Sequence, residues 1–174
     1  MQAFDPFAVL GLARRYNIDL AELERSYLQR SAAMHPDMVG EHGWADLGGE
    51  GGDGAIEELN QARQILADPE QRAIALWKLW GGGGADDKSL PPGLLVEMME
   101  VREEMEAAKS SGDAAAMRKW EEWAELRRGE YQKRVGELFA GLSPGDSSNA
   151  AVLRQIKIEL NGWRYIERLV EQLE

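Results

Sequence analysis

The sequence predicts an all-α protein made of two helical regions. Apolar residues recur at helical spacing along most of the chain, and no segment shows a sustained alternation of apolar and polar residues. Capping patterns at Asp19 and Asp68 are typical of helix starts. A stretch rich in glycine and proline, residues 81–92, separates the two regions and is predicted to be a linker.

The composition excludes several classes of function. The 174 residues include no cysteine and two histidines, so disulfides, thiolate-bound clusters and His-rich metal sites are excluded, and we expect no cofactor. A net charge of −11 disfavours a nucleic-acid partner. No apolar run approaches the ~20 residues of a membrane span, and Met1–Asp5 lacks the features of a signal peptide. We therefore expect a soluble cytoplasmic protein without a membrane partner.

The first region begins with two predicted helices. A short helix that ends near residues 11–14 carries the apolar residues Phe7, Leu10 and Leu12. The second helix begins at a capping box formed by Asp19 and Glu22. Pro36 ends it, because the residue before a proline is disfavoured in the α conformation. Its predicted apolar stripe consists of Leu20, Leu23, Tyr27 and Leu28.

Two more helices complete the first region. Residues 38–54 are predicted to be a mobile loop, because their seven glycines lose much backbone entropy when they are ordered. Helix resumes at Ala55, and one face of it carries Ile56, Leu59, Ala62, Ile65 and Leu66. Asp68 and Pro69 then stop this helix and start the next one. The residues that this fourth helix is predicted to bury are Ala73, Leu76, Trp77 and Trp80.

Three long helices with short connections follow the linker, a pattern that predicts an antiparallel bundle. The first spans about 92–110, and its core seam is Leu94, Met98, Val101 and Met105. The second runs from Asp113 to Gly141, with a seam that includes Met117, Trp120, Ala124, Tyr131, Val135 and Leu138. Arg127, Arg128 and Gly129 interrupt that seam. The third begins near Ser147 and carries Val152, Ile156, Leu160, Trp163, Ile166, Val170 and Leu173.

The tripeptide His35-Pro36-Asp37 is the first candidate functional motif. Proline fixes the backbone between two predicted helices, so the imidazole and the carboxylate would project from a rigid turn. A rigid turn suits recognition, because little conformational entropy is lost on docking. The alternative is an ordinary helix stop with an aspartate cap, and the tripeptide alone does not decide between the two.

Several segments together resemble the HscB family of J-domain co-chaperones. The segments that are similar in the first region are Asp5–Leu12, Asp19–Tyr27, His35–Asp37, Leu59–Ala62, Leu66–Pro69 and Arg72–Ala73. In the second region, Leu94–Met105 and Gly162–Leu169 are similar to the first and last bundle helices of that family. The resemblance implies a J domain over 1–80, a linker over 81–92 and a three-helix, scaffold-binding bundle over 93–174.

The resemblance also implies a function. Proteins of this family are co-chaperones of iron–sulfur cluster assembly, which stimulate ATP hydrolysis by a DnaK/HscA-type chaperone and deliver an IscU-like scaffold protein to it. The ATP chemistry belongs to the partner, so we expect no enzymatic activity of this chain. The residues to which the resemblance assigns chaperone binding are Arg25, Tyr27, Arg30, His35, Pro36 and Asp37.

The chain departs from the family pattern around this motif. Family members usually carry a basic residue directly after His-Pro-Asp, where this chain has Met38. The preceding helix is usually basic, but here Arg25 and Arg30 stand among three acids. A thin positive patch is expected to slow electrostatically steered association. The two arginines are five residues apart and share no helical stripe, so a solvated surface is the alternative interpretation.

The first bundle helix has more apolar residues than its seam needs. Leu95, Val96 and Met99 lie off the seam, and Glu100 and Glu103 flank them. An adaptable apolar strip with an acidic rim is typical of a protein interface. The resemblance assigns scaffold binding to this strip and to Tyr165. The alternative is that the strip packs against the first region or widens the core.

Other functions remain as alternatives at this point. The chain could be a J-domain co-chaperone for a different client, or a helical assembly protein in which His-Pro-Asp is incidental. An enzyme is the least supported, because Gly81–Gly84 is not followed by the Gly-Lys-Ser/Thr of a phosphate-binding loop.

Overall fold

The computed structural model describes residues 4–34, 52–83, 87–144 and 146–171. Within these ranges all regular structure is helical and no strand occurs, so the all-α prediction is confirmed. The chain divides into two compact units, Met1–Gly81 and Gly82–Glu174.

The first unit contains helices α1 (Pro6–Leu10), α2 (Leu20–Ala33), α3 (Gly52–Ala67) and α4 (Pro69–Leu79). Aspartate side chains cap three of them, and the sequence predicts the caps at Asp19 and Asp68. Asp5 accepts hydrogen bonds from the first turn of α1, Asp19 accepts one from the Ala21 N–H at 2.9 Å, and Asp68 accepts one from the Gln71 N–H at 2.8 Å. These bonds satisfy backbone donors that have no partner inside the helix.

The core of this unit lies where α3 packs against α1, α2 and α4. Its buried apolar residues are Phe7, Leu10, Tyr16, Leu23, Leu59, Ala62, Leu66, Ala73 and Leu76. The buried Arg72 donates from Nη1 to the Leu66 carbonyl at 2.6 Å, and its guanidinium lies 5.2 Å from the centre of the Tyr16 ring. Burial raises the pKa of Tyr16 to about 12.

Three predictions for the first unit are wrong in part. In the predicted stripe of α2, Leu23 is buried but Leu20 and Leu28 are exposed, because they lie ~60° and ~140° around the helix from Leu23. Helix α3 begins at Gly52 instead of Ala55, because the low helix propensity of glycine is only a weak constraint. Trp77 and Trp80 are half-buried. Residues 38–51 of the predicted loop lie outside the described residues.

The second unit is a bundle of helices α5 (Leu94–Ser111), α6 (Ala114–Ala140) and α7 (Asn149–Glu171). Helix α6 packs extensively against α7 and also contacts α5. Arg128 pairs with Glu167 and Arg134 pairs with Glu159, a register that only antiparallel helices give. The largest buried residues of the core are Leu94, Met98, Val101, Met105, Trp120, Tyr131, Val135, Phe139, Ile156, Leu160, Trp163, Ile166 and Leu169.

The bundle follows the predicted seams with small differences. Helix α6 runs unbroken through Arg127–Gly129, because both arginines find acidic partners on neighbouring helices. The predicted seam of α6 includes Leu138, but Leu138 is half-buried and its neighbour Phe139 is the buried residue. Helix α7 begins at Asn149, two residues after the predicted start, and Leu173 lies outside the described residues.

The segment just before α5 packs against α7. The Asn161 side chain donates to the carbonyls of Asp87 at 2.7 Å and Ser89 at 2.9 Å. Arg154 forms an ion pair with Asp87 at 3.2 Å. Pro91 lies beside Gly162, where the absence of a side chain allows the proline ring to pack against α7. The end of the predicted linker is thus held on the bundle.

We predict that Gly162→Ala destabilises the bundle. An added Cβ would lie 2.7 Å from the Tyr131 hydroxyl and 2.9 Å from Pro91 Cγ, and such overpacking costs about 1–3 kcal/mol. Gly129→Ala is the matched control, because Gly129 is also helical but a Cβ there meets nothing within 4 Å. This control should raise the free energy of unfolding by about 0.5–1 kcal/mol. Urea denaturation measures both, and equal shifts for the two variants would contradict the packing argument.

Candidate functional site

The first candidate surface is on α2, whose end at Ala33 leads towards the His-Pro-Asp motif. His35, Pro36, Asp37 and Met38 lie outside the described residues. The predicted chaperone contact has three other residues, and all of them are on α2. Arg25 and Arg30 are exposed, and Tyr27 is half-buried.

Tyr27 connects α2 to α3. Its hydroxyl donates to the Asn60 side-chain oxygen at 2.8 Å, and the Arg63 guanidinium lies 4.9 Å from the centre of its ring. Arg63 also pairs with Glu24 of α2, at 2.9 Å. Sequence reasoning missed this cluster, because its members are more than thirty positions apart along the chain. Tyr27 therefore has a structural role in fixing α2 on α3.

The two arginines of α2 lie on different sides of the helix, ~140° apart. The Arg30 guanidinium lies close to Gly11, the left-handed residue (φ 64°) that ends α1, where a side chain would collide with it. Arg25 lies near Leu28, three residues further on, which is 63% exposed. The exposed side of α2 thus combines one arginine with an apolar residue.

Other arginines of the first unit are paired with acids inside the unit. Arg14 donates to Asp5 at 2.8 Å, and Arg15 donates to Glu22 at 3.2 Å. Glu22 was predicted to complete the capping box of α2, but here it faces Arg15. These pairs reduce the positive field that the arginines would otherwise project into solvent.

The second candidate surface is on α5. We call it the outer face, and it consists of Leu95, Val96, Met99, Glu100 and Glu103. At 3.6 residues per turn these five side chains fall within an arc of ~140°, opposite the seam that faces the bundle core. Leu95 is 54% exposed, Val96 63% and Met99 67%. The three apolar residues therefore do not widen the bundle core.

The outer face borders a shallow groove of about 280 Å³. Leu95 and Val96 form one wall of it, and the preceding segment contributes Lys88, Leu90, Pro91 and Gly93. Tyr165, the sixth residue of the predicted scaffold contact, is half-buried on α7. The structure therefore collects five of the six predicted residues on one helix face.

Two adjacent arginines in the middle of α6 tie the bundle together. Arg127 pairs with Glu97 of α5 and with Glu130 of its own helix, at 2.8 Å for the latter. Arg128 pairs with Glu167 of α7 at 2.6 Å, and Glu167 also accepts a hydrogen bond from the indole nitrogen of Trp163 at 2.7 Å. The Arg128 guanidinium lowers the pKa of the Glu167 carboxyl.

The part of the chain that the structure describes contains neither a metal site nor a membrane-spanning helix. Within it, no group of three or more His, Cys, Asp or Glu side chains has the arrangement of a metal site. None of its helices combines the length and the apolar character that crossing a membrane requires.

Known proteins identify the family. A sequence profile described as "HSCB C-terminal oligomerisation domain" matches residues 90–174. The chain is 30% identical over 172 residues to the "Co-chaperone protein HscB homolog" of Ralstonia nicotianae, covering 94% of each chain. The chain belongs to the HscB family of co-chaperones. A second HscB homolog, from Paraburkholderia phymatum, is 28% identical over 96% of this chain and 90% of its own length.

Solved HscB structures share the fold. The crystal structure of human co-chaperone protein HscB matches 97% of this chain and 80% of its own, with a TM-score of 0.77 and 22% identity. Chaperone HscB from Vibrio cholerae matches 98% of this chain and 99% of its own, with a TM-score of 0.61 and 25% identity. The predicted fold, a helical J domain followed by a three-helix bundle, is confirmed.

We predict that Glu167→Gln destabilises this HscB-type co-chaperone in a pH-dependent way. The folded-state pKa of Glu167 is below its ordinary value of 4.5, so its carboxylate stabilises the fold above that pH. Replacement should cost about 1–2 kcal/mol at pH 7, where it leaves Arg128 with a weaker partner. The cost should shrink as the pH falls below 4.5 and disappear once the pH is below the lowered folded-state pKa, where the wild-type carboxyl is protonated as well.

Glu125→Gln is the matched control. Glu125 also pairs with Arg128, but its side chain is 70% exposed, so this variant should be close to wild type at every pH. Thermal unfolding at several pH values between 7 and 3 measures the differences. A Glu167→Gln deficit that stays constant over this range would contradict the prediction.

Proposed function

We propose that this protein couples a DnaK/HscA-type chaperone to an IscU-like scaffold protein in cytoplasmic iron–sulfur cluster assembly. The observation that carries the proposal is the exposed outer face of α5 in a chain of the HscB family. In this proposal the J domain spans 1–80, a linker spans 81–92, and the bundle over 93–174 binds the scaffold. The chaperone hydrolyses ATP, and this chain contributes protein contacts without a cofactor of its own.

The proposed chaperone contact is the motif His35-Pro36-Asp37 together with the exposed surface of α2. Arg25 is exposed beside Leu28 and is available for an ionic contact that Leu28 extends with apolar surface. Tyr27 supports the contact indirectly, because its bonds to α3 hold α2 in place. Arg30 is directed towards Gly11 and is a weaker candidate for direct contact.

The proposed scaffold contact is the outer face of α5. Its apolar residues are exposed without being needed by the core, which is the usual state of an unoccupied interface. Met99 supplies a flexible, polarisable side chain that adapts to a partner, and Glu100 and Glu103 form an acidic rim. Tyr165 of α7 is proposed to contribute to scaffold binding at the edge of this contact.

The chaperone half of the proposal is tested by ATPase stimulation. The protein should raise the steady-state ATPase rate of a DnaK-type chaperone, and Asp37→Asn should abolish the increase because the motif loses a charge at the contact. Asp19→Asn removes the same charge from the other end of α2 and should keep the stimulation, since asparagine caps a helix as well as aspartate does. Equal stimulation by wild type and Asp37→Asn would refute this contact.

The scaffold half is tested by binding. Calorimetry with an IscU-like scaffold should show that Leu95→Ala/Met99→Ala weakens binding ~30-fold or more, as expected when about 2 kcal/mol of interface contacts is lost. Thermal stability should change little, because both side chains are exposed.

Leu126→Ala provides the matched control. Leu126 is a leucine of α6 that is 63% exposed and lies outside the proposed contact. This variant should bind the scaffold like wild type. If wild type binds no scaffold but stimulates the chaperone, the chain is a J-domain co-chaperone for a different client.

A further inference from the structure

The attachment of α5 to the bundle determines where the outer face points. The cap residue before the helix is Gly93, whose φ of 81° is left-handed and which has no side chain to bond the first turn. Its seam contains Met98 and Met105, whose flexible side chains can fill a core in more than one arrangement. The seam therefore buries α5 but constrains its rotation about its own axis only loosely.

Arg127 of α6 supplies a directional contact to this helix. Its guanidinium bonds Glu97 of α5 and Glu130 of α6, and it lies 5.8 Å from the centre of the Trp123 ring. The Arg127 and Glu97 side chains are 28% and 32% exposed, so solvent screens this pair less than a fully exposed one. A planar guanidinium held by three neighbours has little freedom to follow a displaced carboxylate.

Glu97 lies at the edge between the buried seam and the outer face. It follows Leu94 of the seam by three residues and precedes Glu100 of the outer face by three, so it is a helical neighbour of both. Side chains lie about 5–6 Å from a helix axis, and a rotation of ~20° would move the outer face by ~2 Å. A shift of that size disrupts complementary packing at an interface.

We propose that Arg127 and Glu97 are positioning residues, which fix the rotation of α5 and so present the outer face to its partner. This inference rests on the proposed function, in which the outer face binds the scaffold. Both side chains line a cleft together with Tyr131 and Arg134, so they lie beside the outer face and are not part of it.

The first experiment compares the same change at two adjacent arginines. Arg127→Gln breaks the contact to α5, whereas Arg128→Gln breaks the contact to α7 at a side chain of similar exposure, 26%. Both variants should unfold at lower temperature. At a temperature where circular dichroism shows both to be fully folded, only Arg127→Gln should weaken binding of an IscU-like scaffold, by ~10-fold.

Arg127→Lys tests whether the charge alone partly restores scaffold binding. It keeps the charge opposite Glu97 but loses the planar guanidinium, so its affinity should lie between those of wild type and Arg127→Gln. All three variants should stimulate the chaperone normally in the absence of scaffold. Scaffold affinities of Arg127→Gln and Arg128→Gln within twofold of each other would overturn the inference.

A second experiment needs no partner. A soluble paramagnetic agent relaxes exposed methyl groups, and in wild type it should relax the exposed Met99 methyl far more than the buried Met98 methyl. Rotation of α5 in Arg127→Gln should bring the two values closer together, while Arg128→Gln should leave them unchanged. An unchanged ratio in Arg127→Gln would overturn the positioning role. If wild type does not bind the scaffold, the proposed function is refuted. The methyl relaxation measurement alone then decides whether Arg127 and Glu97 fix the rotation of α5.

Discussion

The bundle depends on two consecutive arginines in the middle of α6. Side chains of neighbouring helix residues diverge by ~100°, so Arg127 reaches α5 and Arg128 reaches α7 from the same turn. Each arginine also has an acid three residues away on α6 that holds it in place. One turn of one helix thus contacts both others, and the apolar seams pack on either side of it.

The proposed interface follows from how the bundle distributes its apolar residues. Helix α5 needs one seam to join the bundle, and that seam is buried, yet Leu95, Val96 and Met99 remain exposed on the opposite side. Exposed apolar surface does not stabilise the monomer, because folding leaves it in contact with water. Binding can therefore use these residues at little cost to the fold.

Local patterns predicted most of the fold from the sequence. An aspartate cap directly precedes the periodic apolar pattern of its helix in the sequence. The helix starts at Asp19, Asp68 and Asp113 could therefore be recognised directly. Five residues of the proposed scaffold contact were recognisable for the same reason, since all lie on one helix. Periodicity failed on α2, because it cannot tell how much of an apolar stripe another helix will cover, and Leu20 and Leu28 are exposed.

Contacts between distant residues account for the remaining differences. The partners of Arg127 and Arg128 on the other two helices lie 30 and 39 positions away along the chain. In the sequence alone, the two arginines are therefore visible only as an interruption of the apolar seam of α6. The same limit applies to Arg63 of the first unit, which pairs with Glu24, 39 positions away. Arg14 and Arg15 also pair with acids of that unit, 9 and 7 positions away. These three pairs reduce the positive potential of the first unit, so the proposed encounter with the chaperone gains little from long-range attraction. Its strength must then come from short-range contact, made by the proposed His-Pro-Asp contact and the exposed residues of α2.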